Sequence, residues 1–154
     1  MDNCLLCQRI EAIKNGVNKN FICELETSYV VLGDTQYYKG YTLLLSKCHC
    51  FELHELEQSV RLKFLEEMAM VGEVIFKLFQ PAKLNYELLG NRHPHLHWHI
   101  FPRYVDDADK HNPIWITSKA ERNHTFLSDA VLEKRIEAIR RAILKHISDI
   151  SFSS

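Results

Sequence analysis

Three histidines fall at alternate positions in His93-Pro-His95-Leu-His97-Trp-His99-Ile-Phe-Pro-Arg103. Residues two apart in an extended strand share a face. His95, His97 and His99 are therefore expected to line one side, with Leu96, Trp98 and Ile100 turned to a core on the other. Such a row of imidazoles has three uses. It can be the polar face of a surface strand. It can bind metal, although three ligands from one strand face make a cramped tetrahedral site. Or it can attack phosphorus: an unprotonated imidazole, with an ordinary pKa of ~6.5, is a good nucleophile near neutral pH. Its neighbours can then donate hydrogen bonds to phosphoryl oxygens as charge moves.

Cys4-Leu-Leu-Cys7 is the second pattern with chemistry in it. Alone, a Cys-x-x-Cys is a redox pair, half of a zinc site, or chance. The chain has five cysteines, an odd number, and four lie in two tight pairs, Cys4/Cys7 and Cys48/Cys50. A disulfide framework more often shows an even count at wider spacing. With no basic segment leading into an apolar one at the start, reduced thiols and a cytoplasmic location are expected. No apolar run approaches the ~18 residues of a membrane span. Nineteen basic against twenty acidic side chains in 154 residues, a formal charge of −1, argue against a nucleic-acid partner held by bulk electrostatics. A small phosphate ligand met by a few placed groups is compatible with that balance. His54, His111, His124 and His146 are expected on solvated surfaces, with His93 near the mouth of a site. Asp106, Asp107 and Asp109 are expected in a solvated loop.

These residues need a scaffold, and the length suits one domain spanning residues 1–154. A short helix is expected from Cys4 to about Lys14, with Leu6, Ile10 and Ile13 on one stripe and Asn15-Gly16 ending it. Phe21 to Glu24 and Ser28 to Leu32 read as strands, Gly33-Asp34 as a turn, and Tyr41 to Leu45 as a buried strand. From Leu56 to Phe79, apolar residues recur in steps of three and four, at Leu56, Val60, Phe64, Met68, Val71, Ile75 and Leu78. That spacing predicts a long helix, stopped by Pro81. Leu84 to Leu89 and His95 to Tyr104 read as a hairpin pair. A last helix from about Ser128 carries Leu132, Ile136, Ile139, Ile143 and Ile147, with Ser128 as N-cap. Early strands, flanking helices and no βαβ alternation predict an α+β domain: an antiparallel sheet of about five strands with a long central and a C-terminal helix.

His95-Leu-His97-Trp-His99-Ile-Phe matches His-φ-His-φ-His-φ-φ, with φ apolar, and the chain resembles the histidine-triad family that carries this motif. Tyr29-Val-Val-Leu-Gly-Asp34, Gly40-Tyr-Thr-Leu-Leu-Leu-Ser-Lys-Cys-His49, Asn85-Tyr-Glu-Leu-Leu-Gly-Asn91 and Pro102-Arg103-Tyr104 extend the resemblance over about Cys4 to Trp115. The helix over 128–149 lies outside it. The resemblance implies a nucleotide hydrolase or transferase acting on the α-phosphate of a nucleoside phosphate. His97 would form a nucleotidyl-histidine intermediate, and His99 would contact the phosphate or leaving oxygen. His95 would orient the site through its backbone carbonyl. Asp34 would hold the ribose hydroxyls, and Asn91, with Asn85, would serve substrate binding. It also implies a structural Cys₂His₂ zinc site made by Cys4, Cys7, His49 and His95, as in several bacterial-type members. Diadenosine tetraphosphate-like substrates, nucleoside phosphoramidates, or nucleotide binding with little turnover all fit that resemblance. A homodimer is implied too, paired through the long helix and an adjoining strand, for which Phe64, Met68, Val71 and Phe79 offer apolar surface.

Overall fold

The computed structural model describes residues 4–122 and 125–151; the surface position expected of His124 falls outside them. Among the described residues, five strands form an antiparallel sheet in the order β1-β2-β3-β5-β4. They are β1 (Phe21–Glu24), β2 (Ser28–Leu32), β3 (Thr42–Ser46), β4 (Lys83–Leu88) and β5 (His97–Arg103). Helix α1 (Leu5–Lys14) precedes the sheet and α2 (Gln58–Phe79) joins β3 to β4. The short α3 (Lys119–Arg122) and then α4 (Asp129–Ser151) follow it. This is the expected α+β arrangement.

All five residues of β2 and all five of β3 are buried, because each face of these central strands has its own cover. On one face Val30, Leu32, Leu44 and Ile100 pack with Phe64, Val71 and Ile75 of α2 and Ile136, Ile139 and Ile143 of α4. On the other, Leu6, Ile10 and Ile13 of α1 lie over Tyr29, Val31, Leu43 and Leu45. Register places Leu43 opposite His99 and Leu45 opposite His97. The α1 face is therefore the face that carries these two histidines.

Several boundaries differ from the sequence expectation, each for a local reason. Helix α2 starts at Gln58 because Leu53–Glu55 form a 3₁₀ turn and Leu56 is extended at φ −74°, ψ 140°. It ends where Gln80 turns left-handed at φ 51° ahead of Pro81. Val60, Leu78 and Ile147 fall on exposed rims of their helices. Phe64 and Val71 are fully buried, and Met68 and Phe79 pack against the same core. They are thus absorbed within the chain and are not a spare surface for pairing. Exposed apolar residues on α2 and β4 are instead Val60, Leu62, Phe76, Leu78 and Tyr86.

The acidic loop after β5 is not simply solvated. Arg103, 2% exposed, donates to Asp107 (2.6 Å), Asn85 Oδ1 (2.9 Å) and the carbonyls of Asp109 (2.6 Å) and Asn112 (2.8 Å). Asp109 also accepts from Thr117. A buried guanidinium needs several acceptors, and the loop folds around this one. Among the described residues, no helix is long and apolar enough to cross a membrane.

Candidate active site

Strand β5 begins at His97, two residues later than expected. Residues 93–95 turn instead, with the His95 N–H donating to the His93 carbonyl at 2.8 Å. The turn splits the row of three histidines. His97 and His99 stay on one face with ring centroids 4.7 Å apart. The His95 imidazole faces Cys4, Cys7 and His49, and only its backbone remains with the pair. Its carbonyl accepts from His97 Nδ1 at 2.6 Å, as the resemblance implied.

That contact fixes the His97 tautomer. A carbonyl can only accept, so Nδ1 carries the proton and Nε2 holds a free lone pair. Burial is the main cause pushing His97 below its ordinary pKa, against the hydrogen bond to His95. An imidazole so held is unprotonated near neutrality, the form a nucleophile needs.

A cleft of about 410 Å³ opens over His97 and His99. Asp34, Arg9, Leu43, Tyr41, Phe101 and Arg122 are among the residues that line it. Asp34 accepts both from Arg9, in a two-pronged ion pair, and from Asn20 Nδ2 at 3.0 Å. His93 is exposed and reaches the mouth, as expected. Asn91 is exposed on the loop between β4 and β5, and Asn85 is engaged with Arg103. Neither lines the cleft. The larger hollow beside it, about 520 Å³ between Tyr37, Tyr104 and Asp106, holds none of the histidines.

Sequence reasoning missed Arg9, Tyr41 and Arg122. Arg9 sits one turn along α1 from Leu5 and Leu6, and nothing in its surroundings marks it. Arg122 lies on a four-residue helix without periodicity to announce it. Tyr41 had a signal, because Gly33 and Gly40 bracket the loop that brings it in. A Cβ on Gly33 would stand 2.0 Å from the Tyr41 ring.

Behind the cleft, Cys4, Cys7, His49 and His95 gather with their donor atoms all within 4.8 Å of one another. Cys7 Sγ lies 3.2 Å from His49 Nδ1 and 3.5 Å from His95 Nδ1. Cys4 Sγ lies 3.6 Å from His95 Nδ1, and the two Nδ1 atoms are 3.2 Å apart. The far nitrogen of His95 donates to the Ser46 carbonyl at 2.8 Å, which leaves Nδ1 unprotonated and aimed at the thiols. Burial, then the neighbouring Cys4 thiol, pushes the Cys7 thiol up. Cys48 is exposed and Cys50 buried in the core, both outside the cluster.

A two-faced antiparallel sheet presenting an oriented imidazole pair in one cleft with Asp34 defines a protein of the histidine-triad class. The comparisons agree. The HIT domain model matches residues 14–106, and the chain belongs to that family of nucleotide-binding and hydrolase-type proteins. It is 26% identical over 121 residues to the protein hit of Bacillus subtilis (strain 168), covering 75% of this chain and 81% of that one. Its fold is similar to a histidine triad protein from Bradyrhizobium japonicum, with TM-score 0.71, 24% identity and coverage of 83% and 94%. It is also similar to a zinc-bound histidine triad family protein from Mycobacterium smegmatis, with TM-score 0.67, 18% identity and coverage of 96% and 97%.

Proposed function

We propose that this chain is a nucleotide phosphohydrolase or nucleotidyltransferase working through a covalent nucleotidyl-His97 intermediate, with dinucleoside polyphosphates of the diadenosine tetraphosphate kind as substrates. The observation that carries this reading is the 2.6 Å contact from His97 Nδ1 to the His95 carbonyl. It turns an unprotonated Nε2 into a cleft that also holds Asp34 and His99. Nε2 attacks the α-phosphorus, and the developing imidazolium keeps its Nδ1 proton on the carbonyl. The P–O bond to the leaving group breaks, and its electron pair leaves with oxygen. Water then attacks the same phosphorus and gives up a proton to solvent as the N–P bond breaks, which returns the lone pair to Nε2 and releases the nucleoside monophosphate. Asp34 takes the ribose hydroxyls with its acceptor oxygens. His99 donates to a phosphoryl or leaving oxygen.

Zinc belongs to the same reading. A tetrahedral ion with Zn–S of about 2.3 Å and Zn–N of about 2.05 Å separates S from N by about 3.6 Å and N from N by about 3.3 Å. Cys4 and Cys7 to His95 at 3.6 and 3.5 Å and His49 to His95 at 3.2 Å come close to that spacing, with Cys7 to His49 shorter at 3.2 Å. Two thiols and two imidazoles leave no open position, so the ion would supply structure by tying α1 to the turn before β5. The cluster would hold His95 so that its carbonyl meets His97. A homodimer paired along the β4 edge and the exposed face of α2, cytoplasmic and with neither nucleic acid nor membrane as partner, completes the proposal.

The test is chemical. Intact-mass measurement after a rapid alkaline quench of protein with diadenosine tetraphosphate should show a nucleotidyl adduct, absent from His97→Ala. Full turnover by His97→Ala would remove the reading.

A further inference from the structure

What departs from phosphorus depends on whether His99 can supply a proton, and Tyr41 governs that. Its Oη lies 2.7 Å from His99 Nδ1. The ring stacks on Phe101 with centroids 4.1 Å apart at 13°, and it also lies against the bare Cα of Gly33. The phenol therefore has little freedom to turn away. A phenolic O–H is a stronger donor than an imidazole N–H, and a bare imidazole nitrogen is a stronger acceptor than a phenol oxygen. Among the described residues, His99 Nδ1 is the acceptor this O–H finds. Tyr41 donates, Nδ1 accepts, and the proton of His99 sits on Nε2, on the side of the cleft.

We propose that Tyr41 is a positioning residue that locks His99 as an Nε2–H hydrogen-bond donor, so that this site cleaves bonds whose leaving group departs as a phosphate oxyanion and discriminates against amine leaving groups. The proposal rests on the reading of His97 as nucleophile. Burial works in the same direction, holding His99 down at about 3 and pushing the Tyr41 phenol up.

The bond changes explain the discrimination. When His97 Nε2 attacks an anhydride, the P–O electron pair leaves on a terminal phosphate, whose last pKa is about 6. That group departs as the anion and needs only a donated hydrogen bond, which Nε2–H gives. When it attacks a phosphoramidate, the P–N electron pair must leave on nitrogen. An amide anion is far too basic to depart, so a proton has to arrive as the bond breaks. An imidazolium could deliver it. His99, with Nδ1 held by the Tyr41 O–H, would first have to gain a proton where that O–H already points. Relay from Tyr41 would leave a buried phenolate.

The experiment uses the protein as purified and two probes that share their adenylyl half, diadenosine tetraphosphate and an adenosine phosphoramidate. Wild type should show kcat/KM about 100-fold in favour of the anhydride, the scale on which an acid catalyst is missed. Tyr41→Phe keeps the stack on Phe101 but frees Nδ1. It should lower kcat on the anhydride with KM little changed, and narrow the ratio by about tenfold. Equal turnover of both probes by wild type, or equal losses on both in Tyr41→Phe, would overturn the proposal. Nitrogen NMR of the His99 ring gives a readout independent of turnover. An Nε2–H tautomer in wild type that becomes mixed in Tyr41→Phe supports the lock, and Nδ1–H in wild type overturns it. A locked tautomer in protein that forms no adduct with either probe would uphold the positioning of His99 and remove the reading of His97.

Discussion

The His95 carbonyl accepts from His97 Nδ1 at 2.6 Å while the His95 ring lies 3.5 Å from Cys7 Sγ. One residue thus joins the Cys₂His₂ cluster to the group that would attack phosphorus. The backbone half needs the ring half to stay put.

Metal loss should therefore act on stability first and activity second. Wild type should carry roughly one zinc per chain. Cys4→Ser should release it and lower the melting temperature by on the order of 10 °C. Activity measured well below the new midpoint should fall through loosening of residues 93–97, not through loss of a reacting group. Elemental analysis finding far less than one zinc in wild type, purified without chelators, contradicts the assignment.

Asp34 offers a test of the proposed ribose contact. Arg9 and Asn20 hold its carboxyl in place. Asp34→Asn keeps the shape but removes a charged acceptor, a loss of about 1.5–3 kcal/mol. KM should rise about tenfold or more with kcat nearly unchanged. A fall confined to kcat would place Asp34 elsewhere in the mechanism.

Glu67 of α2 is 3% exposed, and its carboxyl accepts from Thr27 N (2.8 Å), Thr27 Oγ1 (2.7 Å) and Ser28 Oγ (2.6 Å). It pins the β1–β2 turn to the helix. Glu67→Ala leaves three buried donors unmet and should cost about 3–5 kcal/mol in denaturant unfolding, with Glu67→Gln milder. A change under about 1 kcal/mol would mean water replaces the carboxyl.

The helices and the pair His97/His99 were legible as periods, 3.6 for helices and two for the histidine strand, and the central strands as short, bounded apolar runs buried on both faces. Leu6, Ile10 and Ile13 of α1 and Ile136, Ile139 and Ile143 of α4 announce their own buried stripes. The departure of His95 from the row was not legible in the alternation. It follows from the turn at 93–95 and from Cys4, some ninety positions away. Arg9–Asp34, Tyr41–His99 and Glu67–Thr27 are likewise pairings between separate elements, and no local period records which side chains meet across a fold. The composition of the acidic loop misled for the same reason. Asp107 and Asp109 look solvated until Arg103 is placed beneath them.

Glu87 and His99 are cross-strand partners on β4 and β5, and burial shifts them in opposite directions. Glu87 is raised to about 7, mainly by burial, with Arg103 and Arg122 working against the rise; among the described residues, its buried Oε2 has no hydrogen-bond partner. His99 is lowered to about 3, again by burial. A carboxyl raised in the folded state favours folding when protonated. Its contribution is complete below about 4.5 and lost as pH rises through about 7. An imidazole lowered in the folded state contributes fully above about 6.5, and that contribution is lost as pH falls toward about 3. Between roughly pH 4.5 and 6.5 the two slopes oppose each other and flatten the wild-type profile. Glu87→Gln removes one slope and leaves the other. The melting temperature of Glu87→Gln minus that of wild type should rise by a few degrees between about pH 5 and 8. Across the same range Glu87→Gln alone should lose stability more steeply than wild type as the solution is acidified. Calorimetry at matched ionic strength measures both, and a difference that stays constant with pH would show that Glu87 titrates in the fold as it does in the unfolded chain.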